Sequence, residues 1–267
     1  MHLRHWLRAG VVGLLVGGCA GMQGGITPET KAAMAPTGKL RVAFISAPIY
    51  AVKDGATGEF RGVAIDLGKE LARRVEVPFV PLSYPNPPAL IGGAKSGEWD
   101  VALMGINAER AAAMDFSAPF MEVEQGFLVR PGAAAIATAS EVDGPGVRVG
   151  VLEGSGADAH LTGAVKNAVL VRVKTLGENY ALLDAGKADV IAATKQALFD
   201  GAASRSGSRV LEGRFLVEPI GIGVPRGRDV SAAAYVGRFV EDVKAQGRVK
   251  SAIESAGLRG VVVAPPK

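Results

Sequence analysis

Short apolar runs alternate along this chain with longer stretches whose apolar positions recur every three or four residues. Lys39 to Ile45 (KLRVAFI) is rich in branched side chains and follows a glycine, the profile of a buried strand. In the stretch 62–75 (GVAIDLGKELARRV), the positions Val63, Ile65, Leu67, Leu71 and Val75 mark one face of a helix packed on a sheet. Pro87 to Lys95 predicts a second, shorter helix, and Asp100 to Met104 (DVALM) another strand. The order then repeats. Gly146 to Leu152 (GVRVGVL) parallels the opening strand, and Glu178 to Ala185 predicts a helix. The segment 186–191 (GKADVI) parallels 97–102 (GEWDVA), both reading Gly-x-x-Asp-Val into apolar residues.

Strands alternating with helices imply parallel sheets covered on both faces, and two such units imply two lobes with a cleft between them. Pro219 to Pro225 (PIGIGVP) reads as a further strand, followed by one long amphipathic helix over about 230–249. This segment has no parallel unit of its own and is placed back on the first lobe. The chain then crosses between lobes twice, near Phe127–Arg130 and near Leu216–Pro219, which makes a hinge. The expected fold is α/β and two-lobed, each lobe a mostly parallel sheet flanked by helices, joined by a two-strand hinge. Lobe 1 is expected to span 38–128 and 219–267, and lobe 2 to span 129–218. Ligands in such sheets bind beyond the carboxyl ends of the strands, so the loops after Ile45, Met104, Leu152 and Ala193 are expected to line the cleft.

The first residues carry a different pattern. A short start with Arg4 and Arg8 precedes the uncharged apolar stretch 9–18 (AGVVGLLVGG), too short for a bilayer core that needs roughly 20 residues. That is the layout of a secretory signal, expected over 1–18. Val16-Gly17-Gly18-Cys19 resembles a bacterial lipobox, which makes Cys19 the expected lipidation site and tethers the chain to a membrane without a spanning helix. Ala20 after the cysteine points to the outer membrane. Residues 19–37, rich in Gly, Pro, Thr and Ala, read as the tether.

Composition adds mainly exclusions. The 267 residues are 48% hydrophobic and 21% charged, a globular balance, with aromatics at only 6% beside 36 glycines. Of the formal net charge of +4, two positives lie in the leader, and no basic stripe is interleaved with aromatics, so a nucleic-acid partner is not expected. Cys19 is the sole cysteine, which excludes an internal disulfide. His160 is the one histidine beyond the leader and builds no metal site or Ser–His–Asp set alone. No phosphate loop or nucleophile elbow occurs, and no metal or cofactor is expected. Gly154-Ser155-Gly156 follows a strand and opens a helix, where free N–H groups and the helix dipole favour an anion.

Taken in order, Gly58 to Gly62 (GEFRG) leading into Ile65-Asp66-Leu67, Gly97 to Asp100, Glu109-Arg110 before Asp115 to Phe120 (DFSAPF), Arg148 to Val151 and Gly221 to Pro225 are similar to the family 3 extracellular solute-binding proteins. These are the polar-amino-acid receptors of ABC importers, with the type II periplasmic binding protein fold. The resemblance runs from about Lys39 to Val263. It implies a non-enzymatic, monomeric periplasmic receptor that closes on a small carboxylate-bearing ligand and is recognised by an inner-membrane ABC permease.

Residue by residue, the resemblance makes Arg110 the guanidinium that grips the ligand carboxylate, a charge-assisted fork. Gly105 and Asn107 sit where relatives use backbone and polar groups on the ligand, although Asn107 equally suits a turn. Ser155, with Gly156, is expected to meet the same carboxylate from lobe 2, or to serve as the helix N-cap, or both. Thr194 stands where many relatives carry the aspartate that binds an α-ammonium, which puts a standard α-amino acid in doubt and leaves an organic acid open. Tyr50 and Tyr84 are candidates for an aromatic wall, with ordinary packing as the other reading. Two further readings stay open on the same fold. One is a cyclohexadienyl-dehydratase-like enzyme using a cleft acid such as Glu124 or Glu153; the other is a ligand-sensing module.

Overall fold

Helices and strands form largely where the local sequence supplies both a buried face and a cap. The computed structural model describes residues 26–133 and 135–267, so the expected signal segment and Cys19 lie outside the described residues. Helix α1 (Pro28–Met34) starts on Thr27, whose hydroxyl accepts from the Thr30 amide, with proline in its first turn. Strand β1 (Leu40–Ile45) is buried except at Arg41. A short ribbon of β2 (Val52–Lys53) and β3 (Phe60–Arg61) leads into α2 (Val63–Val75). Then come β4 (Phe79–Tyr84), α3 (Pro87–Lys95, capped by Asn86), β5 (Val101–Gly105), α4 (Ala108–Ala111), β6 (Met114–Phe116) and the long β7 (Met121–Val129).

After a 3-10 turn at Ala139–Asp143, the second unit runs β8 (Arg148–Leu152), α5 (Gly156–Ala164), β9 (Val169–Val173), α6 (Leu176–Asp184), β10 (Val190–Thr194) and α7 (Lys195–Ala203). It ends on β11 (Arg209–Val210). The chain returns through β12 (Leu216–Pro225), α8 (Val230–Ala245), α9 (Arg248–Ser255) and β13 (Val261–Val263).

One sheet runs through both lobes in the order β4-β1-β5-β12-β7-β10-β8-β9. Its flanks are parallel, β4/β1/β5 on one side and β10/β8/β9 on the other. The two central strands are antiparallel to each other. β7 pairs β12 through residues 121–125 and β10 through 125–129, while β12 pairs β7 through 216–220 and β5 through 220–223. Each central strand therefore begins in one lobe's ladder and ends in the other's, which is the two-strand hinge. Apolar burial divides accordingly. One core gathers β1, β5, α2, α8 and α9 around Phe44, Trp99, Phe120 and Phe239, and separate clusters around Phe127, Val149 and Val151, and around Leu128 and Ile191, serve the other lobe.

The Gly-x-x-Asp-Val repeat has a shared structural job. Asp100 accepts from the Arg41 amide (2.9 Å), Nε (3.0 Å) and Nη2 (2.8 Å). Asp189 accepts from the Arg148 amide (3.0 Å), Nε (3.0 Å) and Nη2 (2.9 Å) in the same pattern. In each lobe the aspartate just before one buried strand clasps the arginine of the neighbouring first strand and fixes their register.

Two boundaries differ from the sequence pattern. The helix read to Val249 stops at Ala245, because Gly247 takes a left-handed φ of 71° and starts α9 in a new direction. The segment read as tether to residue 37 includes α1, whose Met34 is buried in the first core, so residues 28–34 belong to the folded body.

The Arg148 hydrogen bonds hold the Asp189 carboxyl down at about 2, against burial that opposes the charge. Since the folded carboxyl titrates below its unfolded value of roughly 3.9, its stabilisation is complete above about pH 4 and is lost as pH falls through about 2. Asp189→Asn is expected to cost about 1–2 kcal/mol at neutral pH, the solvent-reached Arg148 keeping the figure low. Denaturant titrations at stepped pH check this: the gap between variant and wild type should close in acid, and a gap independent of pH would assign the cost to something other than the ion pair.

Candidate functional site

Where β1, β5, β8 and β10 end, the two lobes face each other across a small cavity of about 70 Å³. Ile45, Ile49 and Met104 line it from the first lobe, and Leu152, Leu176 and Ala197 from the second. Among the described residues on its wall only Arg110 and Glu218 are charged; Tyr50, Gln125, Ser155 and Thr194 supply the polar side chains.

Arg110 owes its position to a local device. The four-residue α4 follows β5 directly, and Asn107 caps it by accepting from the Arg110 amide at 2.8 Å. The side chain then turns back under the sheet and is only 3% exposed. Nη1 donates to the Gly105 carbonyl (2.8 Å) and to Glu218 Oε1 (3.2 Å). Nη2 reaches across the cleft to the Gly154 carbonyl at 2.8 Å, so one guanidinium ties the two lobes together.

Glu218 lies on β12 at the hinge, 8% exposed, and its other oxygen accepts from Gln125 Nε2 at 2.7 Å. Two glycines make room for it. A Cβ built on Gly156 would fall 2.5 Å from both Glu218 carboxyl oxygens, and one on Gly105 would collide with Glu218 and Arg110. Both lobes thus present bare backbone to the same carboxylate. Tyr50 stands close by, and burial, then the Glu218 charge, raise its phenol far above the ordinary tyrosine value, so it stays a neutral hydroxyl.

The expected site residues divide in their placement. Arg110, Tyr50, Ser155, Gly156 and Thr194 come together on the cavity wall. Ser155 and Thr194 are also helix caps, accepting from Asp158 N at 3.1 Å and Ala197 N at 3.5 Å. Gly105 and Asn107 stand behind the wall, holding the Arg110 side chain and amide. Tyr84 does not join the cavity wall. It ends the outermost strand β4 and donates to Glu98 Oε2 at 2.7 Å, and burial, then this bond, push its hydroxyl up to about 12. Glu124 is held below the ordinary carboxylate range, chiefly by hydrogen bonding from Arg214, with Lys195 3.6 Å away. His160 is exposed and packs beside Phe215.

A family model described as bacterial extracellular solute-binding proteins, family 3, matches residues 40–255, most of the chain. The chain belongs to this family. Curated relatives include the ABC transporter glutamine-binding protein GlnH of Bacillus subtilis (strain 168), 26% identical over 205 residues, covering 75% of this chain and 74% of that one. The glutamine-binding protein of Geobacillus stearothermophilus is 25% identical over 179 residues, 66% of this chain and 68% of that one. Among solved structures, a mutant of the arginine-binding protein ArgBP from T. maritima superposes with a TM-score of 0.75 at 22% identity, over 85% of this chain and 99% of that one. An ancestral arginine-binding protein bound to glutamine gives 0.73 at 25% identity, over 82% and 97%. An ancestral amino-acid-binding protein described as a precursor of cyclohexadienyl dehydratase gives 0.72 at 24%, over 85% and 98%. The two-lobed type II fold and the solute-binding family expected from the sequence are thereby established.

Sequence reasoning passed over Glu218 and Gln125. Glu218 is the lone charged side chain in an otherwise apolar stretch, 215–222 (FLVEPIGI), and a carboxylate inside such a run calls for a buried cation, whereas Gln125 follows Glu122 and Glu124 in β7 and does not stand out.

Gly156→Ala provides a test of the cradle. Alanine suits the first turn of α5, so the fold should persist by circular dichroism, but the new methyl meets the Glu218 carboxylate on the hinge strand and displaces it from Arg110. Solute affinity is expected to fall at least tenfold, about 1.4 kcal/mol; wild-type affinity would mean that the lobes do not close on this contact.

Proposed function

We propose that this chain is the capture component of an ABC importer, closing its lobes over a small carboxylate-bearing solute, an amino acid or an organic acid. The observation that carries the proposal is Arg110, buried at the cleft, charged, and bonded to both lobes at once. Ser155, Gly156, Thr194 and Tyr50 complete the wall, with Gly105 and Asn107 setting the arginine. The relatives' names, with glutamine and arginine as their ligands, support an amino-acid class.

In this reading the lobes are 38–128 with 219–267, onto which α1 packs, and 129–218. Residues 1–18 direct export, Cys19 carries the lipid, and the mature chain works as a monomer in the periplasm, anchored to the outer membrane. The closed form is what an inner-membrane permease recognises. Closure is driven only by the solute's preference for the apposed state over the open one.

The dehydratase alternative requires a neutral carboxyl poised to give up a proton. Glu124 is instead held below the ordinary carboxylate range by Arg214 and Lys195, Glu153 is exposed and not on the cavity wall, and Glu218, the acid that does line it, is paired with Arg110 and Gln125, which supports binding over turnover.

Thermal-shift screening against amino acids and organic acids tests the reading, because a solute that binds only the folded state raises the midpoint. For a stabilising solute, Arg110→Ala is expected to lower affinity at least 100-fold, about 2.7 kcal/mol. Arg110→Lys guards against loss of the fold, since it keeps the charge opposite Glu218 while losing the fork. His160→Ala should bind as wild type does. An Arg110→Ala protein that is folded and binds at full strength would overturn the site.

A further inference from the structure

The cavity wall is electrically balanced, and that balance restricts what it accepts. On the solute-capture reading above, how Arg110 and Glu218 use their hydrogen bonds decides which solutes fit. A guanidinium has five N–H groups. Among the described residues three are used, on Gly105 O, Glu218 Oε1 and Gly154 O. A carboxylate accepts about four bonds, and Glu218 accepts two, from Arg110 and Gln125. Both side chains border the cavity, so it presents donor capacity on a cation beside acceptor capacity on an anion.

No other described residue of the wall is charged. A simple carboxylate placed against Arg110 would leave the site with one uncompensated negative charge, because Glu218 already balances the arginine. A solute of net positive charge fails in the opposite sense. Burying an unpaired charge is the costliest of the available outcomes. A zwitterion avoids both failures: its carboxylate takes the remaining guanidinium N–H groups and its ammonium the remaining carboxylate positions. The monodentate 3.2 Å contact between Arg110 and Glu218 is then exchanged for two charge-assisted pairs.

The rest of the wall decides the side chain. Besides the charged pair, the polar side chains on the wall are Tyr50, Gln125, Ser155 and Thr194; Gln125 is bonded to Glu218 and the Ser155 and Thr194 hydroxyls cap helices, while Ile45, Ile49, Pro87, Met104, Leu176 and Ala197 make the remainder apolar around a small cavity. Thr194 is a neutral helix cap and brings no charge for an ammonium. We infer that the solute is an α-amino acid of zero net charge with a short aliphatic side chain, and that Glu218 is the residue that anchors its ammonium group.

Calorimetric titration of the protein with L-alanine, L-valine and L-leucine, and with L-arginine and L-glutamate, tests the class. Two leucine analogues, 4-methylpentanoate lacking the amino group and 3-methylbutan-1-amine lacking the carboxylate, test the anchors on the wild-type protein. An aliphatic amino acid is expected to bind, with both analogues at least 100-fold weaker and the two charged amino acids weaker still. In Glu218→Gln, checked for fold by circular dichroism, the amino acid should lose at least 30-fold. 4-Methylpentanoate should gain, because Arg110 is no longer balanced.

The inference is overturned if no aliphatic amino acid binds, if 4-methylpentanoate binds the wild type as tightly as leucine, or if folded Glu218→Gln keeps wild-type affinity for the amino acid. Loss of binding in Arg110→Ala together with full binding in Glu218→Gln would remove Glu218 alone and leave the capture site standing. Full binding in both would remove the site itself.

Discussion

A guanidinium 97% removed from solvent has to find partners for its N–H groups, and the protein around the cleft is organised by that requirement. Arg110 draws on β5 through Gly105, on the hinge strand β12 through Glu218, and on the opposite lobe through Gly154. Glu218 in turn fixes Gln125 on the other hinge strand, β7. One ion pair thus touches both crossing strands and both lobes. It has little leverage on folding, since a buried pair gains about what its desolvation costs. Its leverage is on geometry: at the cavity the lobes meet where the carbonyl of Gly154 completes the arginine.

The sheet makes such a contact consequential. Because β7 and β12 each pair in one lobe along half their length and in the other lobe along the rest, the ladder is continuous through the hinge. The two pairings meet at Gln125 in β7 and at Ile220 in β12, so bending there disturbs few bonds, whereas sliding the lobes would break many. A ladder of this kind favours opening and closing over sliding, and in the apposed arrangement the groups at the mouth, Arg110 on one side and Gly154 to Gly156 on the other, face each other. The glycines at 105 and 156 follow from the same constraint, as any side chain there would occupy the place of the Glu218 carboxylate.

Much of this was legible in the sequence because it depends on local pattern. The strand and helix periodicities around Val42, Leu67 and Val149 carry no information beyond burial on one face, and burial on one face is what builds a lobe. The repeat at Asp100 and Asp189 announced two equivalent units and turned out to encode two equivalent arginine clasps. Arg110 stood out through the block around it. Glu218 did not, since its meaning lies 108 residues away in the chain at Arg110, and no periodicity spans that distance. The break at Gly247 was hidden for a different reason: apolar spacing continues through Val249, and only the left-handed φ interrupts the helix. For Tyr84 the sequence left a pocket wall and ordinary packing open, because a tyrosine before a helix suits either, and only the fold brings Glu98 within hydrogen-bond reach of its hydroxyl.

The lobes make several contacts that need no solute. Besides Arg110 to Gly154, Asn86 Nδ2 donates to the Lys174 carbonyl at 3.0 Å, and the Arg259 amide donates to Gln196 Oε1 at 2.7 Å. Lys195 on the second lobe sits 3.6 Å from Glu124. Each stabilises the apposed arrangement on its own account, so the solute has to supply only the difference that tips the equilibrium. A receptor built this way trades selectivity for affinity. The more closure its own contacts supply, the less of the open state a solute must overcome, and the larger the resting population of the form a permease would recognise. A balanced Arg110–Glu218 pair moderates that trade, because it lets the empty cleft close without a bare charge while still making a mismatched solute bring one in.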